Sequence, residues 1–251
     1  IKGLDSYTNY SIRIAVTNFY MPKDQVVLPG PEIIFETAES RPSPPKNVIV
    51  KIETPKRILV TWEPPEKPNG DLILYEVRWY TNKNPHLHNA IHAKKLNTTR
   101  FGERYLMKLV ELESTTTYCI SVRAYSSDGL FYSDSNIVYA TTYDLPNDIK
   151  LGSRSARSII VNWLSPPSNN SLSEIAQHTM QYSKIGEQQW HGEKHKLTKP
   201  NTSYEFHFNN LTPNTEYAFR LLLTYRSTTT LFEWPGNDEF IFKTLPDAPD
   251  P

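Results

Sequence analysis

Three stretches of the chain alternate apolar and polar residues behind the same leader. "LDSYTNY" at 4–10 runs into "SIRIAV", "LESTTTY" at 112–118 into "CISVRAY", and "LTPNTEY" at 211–217 into "AFRLLLTY". In each, a Leu stands six residues before a Tyr, Thr8, Thr116 and Thr215 fall at one offset, and period-two apolar residues follow. Strict alternation predicts a half-buried β-strand. The same period places Ile58, Val60 and Trp62 on one face, Ile159, Val161 and Trp163 on one face, Tyr75, Val77 and Trp79 together, and Met180 beside Tyr182. Short closing strands are predicted at 32–37, 137–142 and 239–244, each ending in Thr. Proline-rich joints follow: "AESRPSPP", "YDLPND" and "LPDAPDP". Proline fixes φ and stiffens such linkers.

The copies begin 108 and 99 residues apart, a spacing of small domains in series rather than of a solenoid. Trp62 precedes Tyr118 by 56 positions and Trp163 precedes Tyr217 by 54, which leaves room for several strands. Nothing supplies a Trp strand ahead of the first copy, so 1–41 reads as the carboxy-terminal half of a domain. Full domains are expected at 42–143 and 144–246, with 247–251 opening a linker. About seven short strands per hundred residues, with an early Trp and a Tyr entering the penultimate strand, describe an all-β, immunoglobulin-like sandwich. Tyr10, Tyr118 and Tyr217 are then latches whose hydroxyls reach back to the main chain, each with its upstream Leu plugging the core. Trp62 and Trp163 form the core itself.

Composition narrows the class. The 27 basic and 27 acidic residues cancel, which argues against a nucleic-acid partner. Twenty prolines, nine glycines and fifteen tyrosines favour strands over helices. The single cysteine, Cys119, excludes an internal disulfide and leaves stability to the apolar cores. From strand alternation it should point away from the core as a semi-exposed thiol. Five sequons, at Asn9, Asn97, Asn169, Asn201 and Asn210, favour the secretory path. No run approaches the roughly 18 to 20 apolar residues of a membrane span, and the amino terminus is not a signal peptide. The chain reads as a piece of something larger.

Candidate chemistry is sparse. His86, His88 and His92 have a spacing that chelates zinc, but no Cys or acidic residue completes a tetrahedral set nearby, and His191 and His195 share that weakness. No nucleophile elbow or paired carboxylates stand out, so no catalytic, cofactor or metal residue is assigned. Trp190 reads as flank packing, and Arg13, Arg123 and Arg220 as outward, solvated positions. The segments before the closing strands carry apolar residues that read as exposed loop tips: Phe19, Tyr20 and Met21; Leu130, Phe131 and Tyr132; Leu231, Phe232 and Trp234. Loops on rigid scaffolds carry recognition, and aromatics dominate hot spots. Leu130, Phe131 and Tyr132 are expected to seal the joint with the preceding half-repeat. Trp234 is expected to face outward as an external contact, with Phe232 beside it.

The "L-x-x-x-T-x-Y" pattern, the upstream Trp62 and Trp163, the Pro-rich strand ends and the Thr-terminated closing strands look like tandem fibronectin type III domains. "YSIRIAVTNFY…LPGPEI", "KPNG" at 67–70 and "NNLTPNTEYAFRLLLTYRS" resemble, more narrowly, the juxtamembrane repeats of the Sevenless/Ros receptor tyrosine kinases. That resemblance implies a non-catalytic spacer and recognition segment on the extracellular side of the plasma membrane. The parent would be membrane-anchored, with its kinase outside this chain. Its partner would be a protein ligand on a neighbouring cell or in the matrix, and its side surfaces would be open to self-association. Two other classes use the same modules: adhesion or cytokine-type receptors, and secreted enzymes with accessory repeats. Cytokine receptors carry paired cysteines and a Trp-Ser-x-Trp-Ser run, from which "FYSDS" departs.

Overall fold

The structure is a computed structural model. It describes every residue except 18, 21, 23–26, 82, 84, 95–99, 102–103, 127–128, 168–173, 193–195, 237–239 and 248–251, and the side chains of 93, 94, 100 and 101. The elements named below, among the described residues, are all strands. In the first repeat these are β1 (Asn9–Ile12) and β2 (Ile33–Glu36). The middle repeat has β3 (Lys46–Thr54), β4 (Arg57–Glu63), β5 (Leu72–Thr81), β6 (Asn89–Lys94), β7 (Arg100–Phe101), β8 (Arg104–Leu109), β9 (Thr117–Ser126), β10 (Phe131–Asp134) and β11 (Val138–Thr141). The last has β12 (Ile149–Arg154), β13 (Ile159–Leu164), β14 (Ile175–Lys184), β15 (His191–Gly192), β16 (Lys196–Leu197), β17 (Ser203–Phe208), β18 (Glu216–Tyr225), β19 (Leu231–Trp234) and β20 (Phe240–Lys243).

Two compact units divide the chain. The first comprises 1–50, 60–107 and 118–140; the second comprises 51–59, 108–117 and 141–251. In the first unit, β1 and β2 form an antiparallel hairpin with Tyr10 opposite Phe35 and Ile12 opposite Ile33. Its apolar side is thinly covered: Ile14 is 67% and Ile33 59% exposed. Beyond it, β5 is flanked by β6 and β9, and β9 by both β10 and β11, in one sheet, while β3, β4, β8 and β7 form the other. Trp62 bridges the two sheets, 5.4 Å from Tyr75 and 6.0 Å from Tyr105 between ring centroids, and all three are buried. Trp79, by contrast, is only half-buried.

The second unit repeats the design. The sheet β12-β13-β17 faces β15-β14-β18-β19, with β16 and β20 also paired to β14 and β18. Trp163 sits in the core beside Phe206, Phe219, Leu221 and Leu223. Its indole N–H donates to the Asn147 carbonyl at 3.1 Å. His178 is fully buried in this core; its Nδ1 lies 2.8 Å from Thr198 Oγ1 and its ring 5.2 Å from Trp163. Burying an aromatic of this size is what lets such modules fold without disulfides.

One expectation about the strands fails. Cys119 does face away from the Trp core, but it is 2% exposed rather than semi-exposed. Its cross-strand neighbour is Tyr80, and the two side chains hydrogen-bond. That bond is the chief reason the Tyr80 hydroxyl is held above its ordinary acidity range. The outer face is therefore covered by a neighbour whose bulk depends on register.

Candidate functional site

The repeated motif builds one device in all three repeats. The Tyr10 hydroxyl accepts from the Asp5 N–H at 2.8 Å and the Tyr217 hydroxyl from the Thr212 N–H at 2.9 Å. Tyr118 is buried like Tyr217, at 3% and 5% exposure, and Leu112 and Leu211 are buried as well. A second element accompanies the latch. The Thr that ends each closing strand, Thr37, Thr142 or Thr244, accepts from the N–H of Thr8, Thr116 or Thr215 at 3.0, 3.0 and 2.9 Å. Each then donates to the carbonyl of Asp5, Glu113 or Thr212 at 2.6, 2.7 and 2.7 Å. The hydroxyls of Thr8, Thr116 and Thr215 close the turn onto the carbonyl two residues back, at 2.9, 2.8 and 2.8 Å. The closing Thr is thus a clamp that satisfies two main-chain groups at once, and buried main-chain groups demand partners. Its sequence signal was the Thr ending every closing strand; the partner, some 30 residues away, was not readable.

The outward arginines are not simply solvated. Arg123 chelates Asp134 through Nε at 2.6 Å and Nη2 at 2.9 Å, and its guanidinium lies 4.0 Å from the Tyr132 ring centroid. The Arg123 hydrogen bond holds the Asp134 carboxyl below the usual range. Arg41, in the linker, covers Tyr132 at 5.6 Å. Arg220 binds Gln181 and Glu233 and stacks on Trp190 at 4.0 Å, and Arg13 pairs with Glu32 at 3.2 Å. Arg123 in β9, Arg220 in β18 and Arg13, one residue past β1, are therefore each tied to an acid.

The supposed loop tips are largely strand. The last strand of each full repeat is broken into two segments, and both pair with the same neighbour: β10 and β11 with β9, β19 and β20 with β18. Trp234 stands opposite Leu221 and Phe232 opposite Leu223. Cross-strand partners share a face, and Leu221 and Leu223 are fully buried, so Trp234 and Phe232 point inward and pack on the core. The expectation of Trp234 as an outward contact is corrected accordingly. Leu130 is 78% exposed and seals nothing among the described residues; Phe131 and Tyr132 are 36% and 38% exposed. What meets the preceding segment is Tyr132, against Arg41, and the Ser133 hydroxyl, which donates to the Pro42 carbonyl at 2.6 Å. Phe19 and Tyr20 are 96% and 91% exposed, touching edge to face at 5.7 Å, and Met21 lies outside the described residues.

Asn9, Asn201 and Asn210 are all exposed, the last two in turns with φ of 50° and 59°. Asn97 and Asn169 lie outside the described residues. Of the histidines, His88 rests edge-on against Tyr80 at 4.7 Å, His92 Nδ1 is 3.9 Å from Glu76, and His191 packs on Tyr182 at 5.5 Å. His86 is exposed and His195 is outside the described residues. Among the described residues no three His, Cys, Asp or Glu side chains gather as a metal site requires. An open groove of about 840 Å³ runs beside Pro44, Pro45 and Val48, rimmed by Lys46, Glu66 and Lys67.

Comparison with known proteins gives the family of one stretch: residues 43–140 match the model of the fibronectin type III domain. That stretch is a fibronectin type III domain. It has the all-β sandwich build of that family, whose domains are non-catalytic, and the latch and clamp recur on either side of the matched stretch. Residues 146–244 match the model of the purple acid phosphatase N-terminal domain. Similar proteins include human phosphatidylinositol phosphatase PTPRQ, 31% identical over 68% of this chain and 7% of its own length. Mouse receptor-type tyrosine-protein phosphatase F is 28% identical over 88% of the chain and 11% of its length. Drosophila melanogaster Protein sevenless is 24% identical over 99% of the chain and 9% of its length. The chain thus spans about a tenth of the relatives it matches.

Proposed function

We propose that the chain is a non-catalytic extracellular segment of a single-pass cell-surface receptor. In this reading fibronectin type III repeats at 42–143 and 144–246, with the carboxy-terminal half of another at 1–41, hold a distal ligand-binding region at a set spacing and offer side surfaces to partners. The observation that carries it is that a fibronectin type III domain lies in a chain similar along most of its length to proteins such as receptor-type tyrosine-protein phosphatase F. A Sevenless/Ros-like kinase parent draws its support from Protein sevenless, whose similarity runs through 1–41 as well as both later repeats. The partner is then a protein ligand on a neighbouring cell or in the matrix. A second reading, accessory domains of a secreted enzyme, rests on the similarity of 146–244 to the N-terminal domain of purple acid phosphatase.

Secretion from animal cells tests the compartment. Intact-mass analysis before and after enzymatic deglycosylation should show glycans at Asn97 and at one or both of Asn201 and Asn210. A mass unchanged by deglycosylation would contradict the extracellular assignment.

A further inference from the structure

The residue after each closing Thr is anchored in the same way in all three repeats. The carbonyls of Ala38, Tyr143 and Leu245 accept from the N–H groups of Tyr7, Thr115 and Asn214 at 3.1, 3.2 and 3.0 Å. The side chain at that position is then presented to whatever follows. Tyr143 is 2% exposed and stacks on Tyr225 of the last repeat, with centroids 4.5 Å apart and planes 19° from parallel. The Tyr143 hydroxyl donates to the Ile52 carbonyl at 3.1 Å and takes a hydrogen bond from the Ser227 hydroxyl. The Tyr225 hydroxyl donates to the Asp144 carbonyl at 2.9 Å, and Ile52 packs on the same core. Tyr143 thereby belongs by its main chain to the middle repeat and by its ring to the core of the last.

The preceding joint is built otherwise. Ala38 stands where Tyr143 does, and Ser126 stands eight residues after its latch Tyr, as Tyr225 does. Polar contacts of the 67–71 turn hold this joint: Lys67 Nζ to Asp5 at 3.1 Å, the Ser40 N–H to the Asn69 carbonyl at 2.8 Å, the Asn69 amide to the Arg41 carbonyl at 2.8 Å, and Tyr7 to Asp71. Lys67 and Asp5 are both about two-thirds exposed, so salt screens their attraction.

We propose that Tyr143 is an aromatic clasp that makes the joint into the last repeat a continuous extension of that repeat's core, while the joint at 38–43 is held by polar contacts, buried at Ser133–Pro42 and exposed at Lys67, Asn69 and Asp5. The segment then transmits orientation through its second joint and yields at its first. This deepens the spacer reading and rests on it. A buried stack opens only with exposure of its apolar area, whereas surface hydrogen bonds exchange partners with water at little net cost. Local opening is accordingly the step that distinguishes the two joints.

Hydrogen exchange on the full chain tests this. The Thr115 and Thr228 amides, bonded to the Tyr143 and Tyr225 carbonyls, should exchange more slowly than the Tyr7 and Ser40 amides. Tyr143→Ala should speed Thr115 and Thr228 by roughly 10- to 100-fold, the opening change expected for a lost buried aromatic, and leave Ile160 in β13 unchanged. Ser227→Ala, which keeps the stack, should speed Thr228 several-fold at most. Equal exchange at both joints in the parent would overturn the proposal. So would a Tyr143→Ala variant in which Thr115 and Thr228 are unmoved, or in which Ile160 accelerates equally. The measurement needs no glycan, so its failure is distinguishable from failure of the extracellular reading, which the deglycosylation test reports separately.

Discussion

Thr142→Val isolates the clamp from the packing around it, since Val keeps the shape and deletes only the hydroxyl. Thr142 is 2% exposed, accepts from the Thr116 N–H at 3.0 Å and donates to the Glu113 carbonyl at 2.7 Å. Its loss takes the side-chain acceptor from the buried Thr116 N–H and the hydroxyl donor from the Glu113 carbonyl. Each such group costs about 1–3 kcal/mol, and taking about 1–1.5 kcal/mol, the low end of that range, for each of the two gives about 2–3 kcal/mol. That corresponds to roughly 30- to 150-fold more frequent opening of the middle repeat, at tenfold per 1.4 kcal/mol. The molecule supplies its own reporter, because Cys119 is the sole cysteine and is buried in β9 of that repeat. Thiol alkylation under native conditions should accelerate by that factor in Thr142→Val and stay at the parent rate in Thr244→Val, where the equivalent clamp lies in the last repeat. A Thr142→Val rate within twofold of the parent, or equal acceleration by both variants, would refute the reasoning.

Trp234→Ser should destabilise the last repeat by about 2–3 kcal/mol, less than the 3–5 kcal/mol of a fully buried aromatic, because Trp234 packs on the core while partly exposed; urea denaturation at parental stability would contradict its inward placement. Alkaline titration should find Tyr143 and Tyr225 silent in the folded state, since burial pushes both hydroxyls up. Their neutral forms are favoured on folding, so that stability is intact below the ordinary tyrosine value of about 10 and is lost as pH rises through the folded values. A Tyr225→Phe variant with one phenolate fewer than the parent near pH 10, while both are folded, would contradict this.

Where burial follows directly from local alternation, the sequence sufficed: Ile58, Val60 and Trp62, like Ile159, Val161 and Trp163, are fully buried because a period-two strand has only one face to give the core. The latch Tyr was readable because its partner lies five residues away. Trp234 was not, because the Pro235-Gly236 pair after it suggests a turn, and only its register against Leu221 aims the ring inward. Alternation put Cys119 on the correct face, yet its burial depends on Tyr80, a neighbour supplied by another strand. Tyr143 looked like the first residue of a linker, and its role depends on Tyr225, far along the chain.

The spacer account stands or falls on which side of the membrane these repeats lie. Antibody raised against the folded chain, applied to intact and to permeabilised cells expressing the parent protein, measures that directly. The account predicts that intact cells label as strongly as permeabilised ones after allowance for protein still in transit. Labelling confined to permeabilised cells would contradict it.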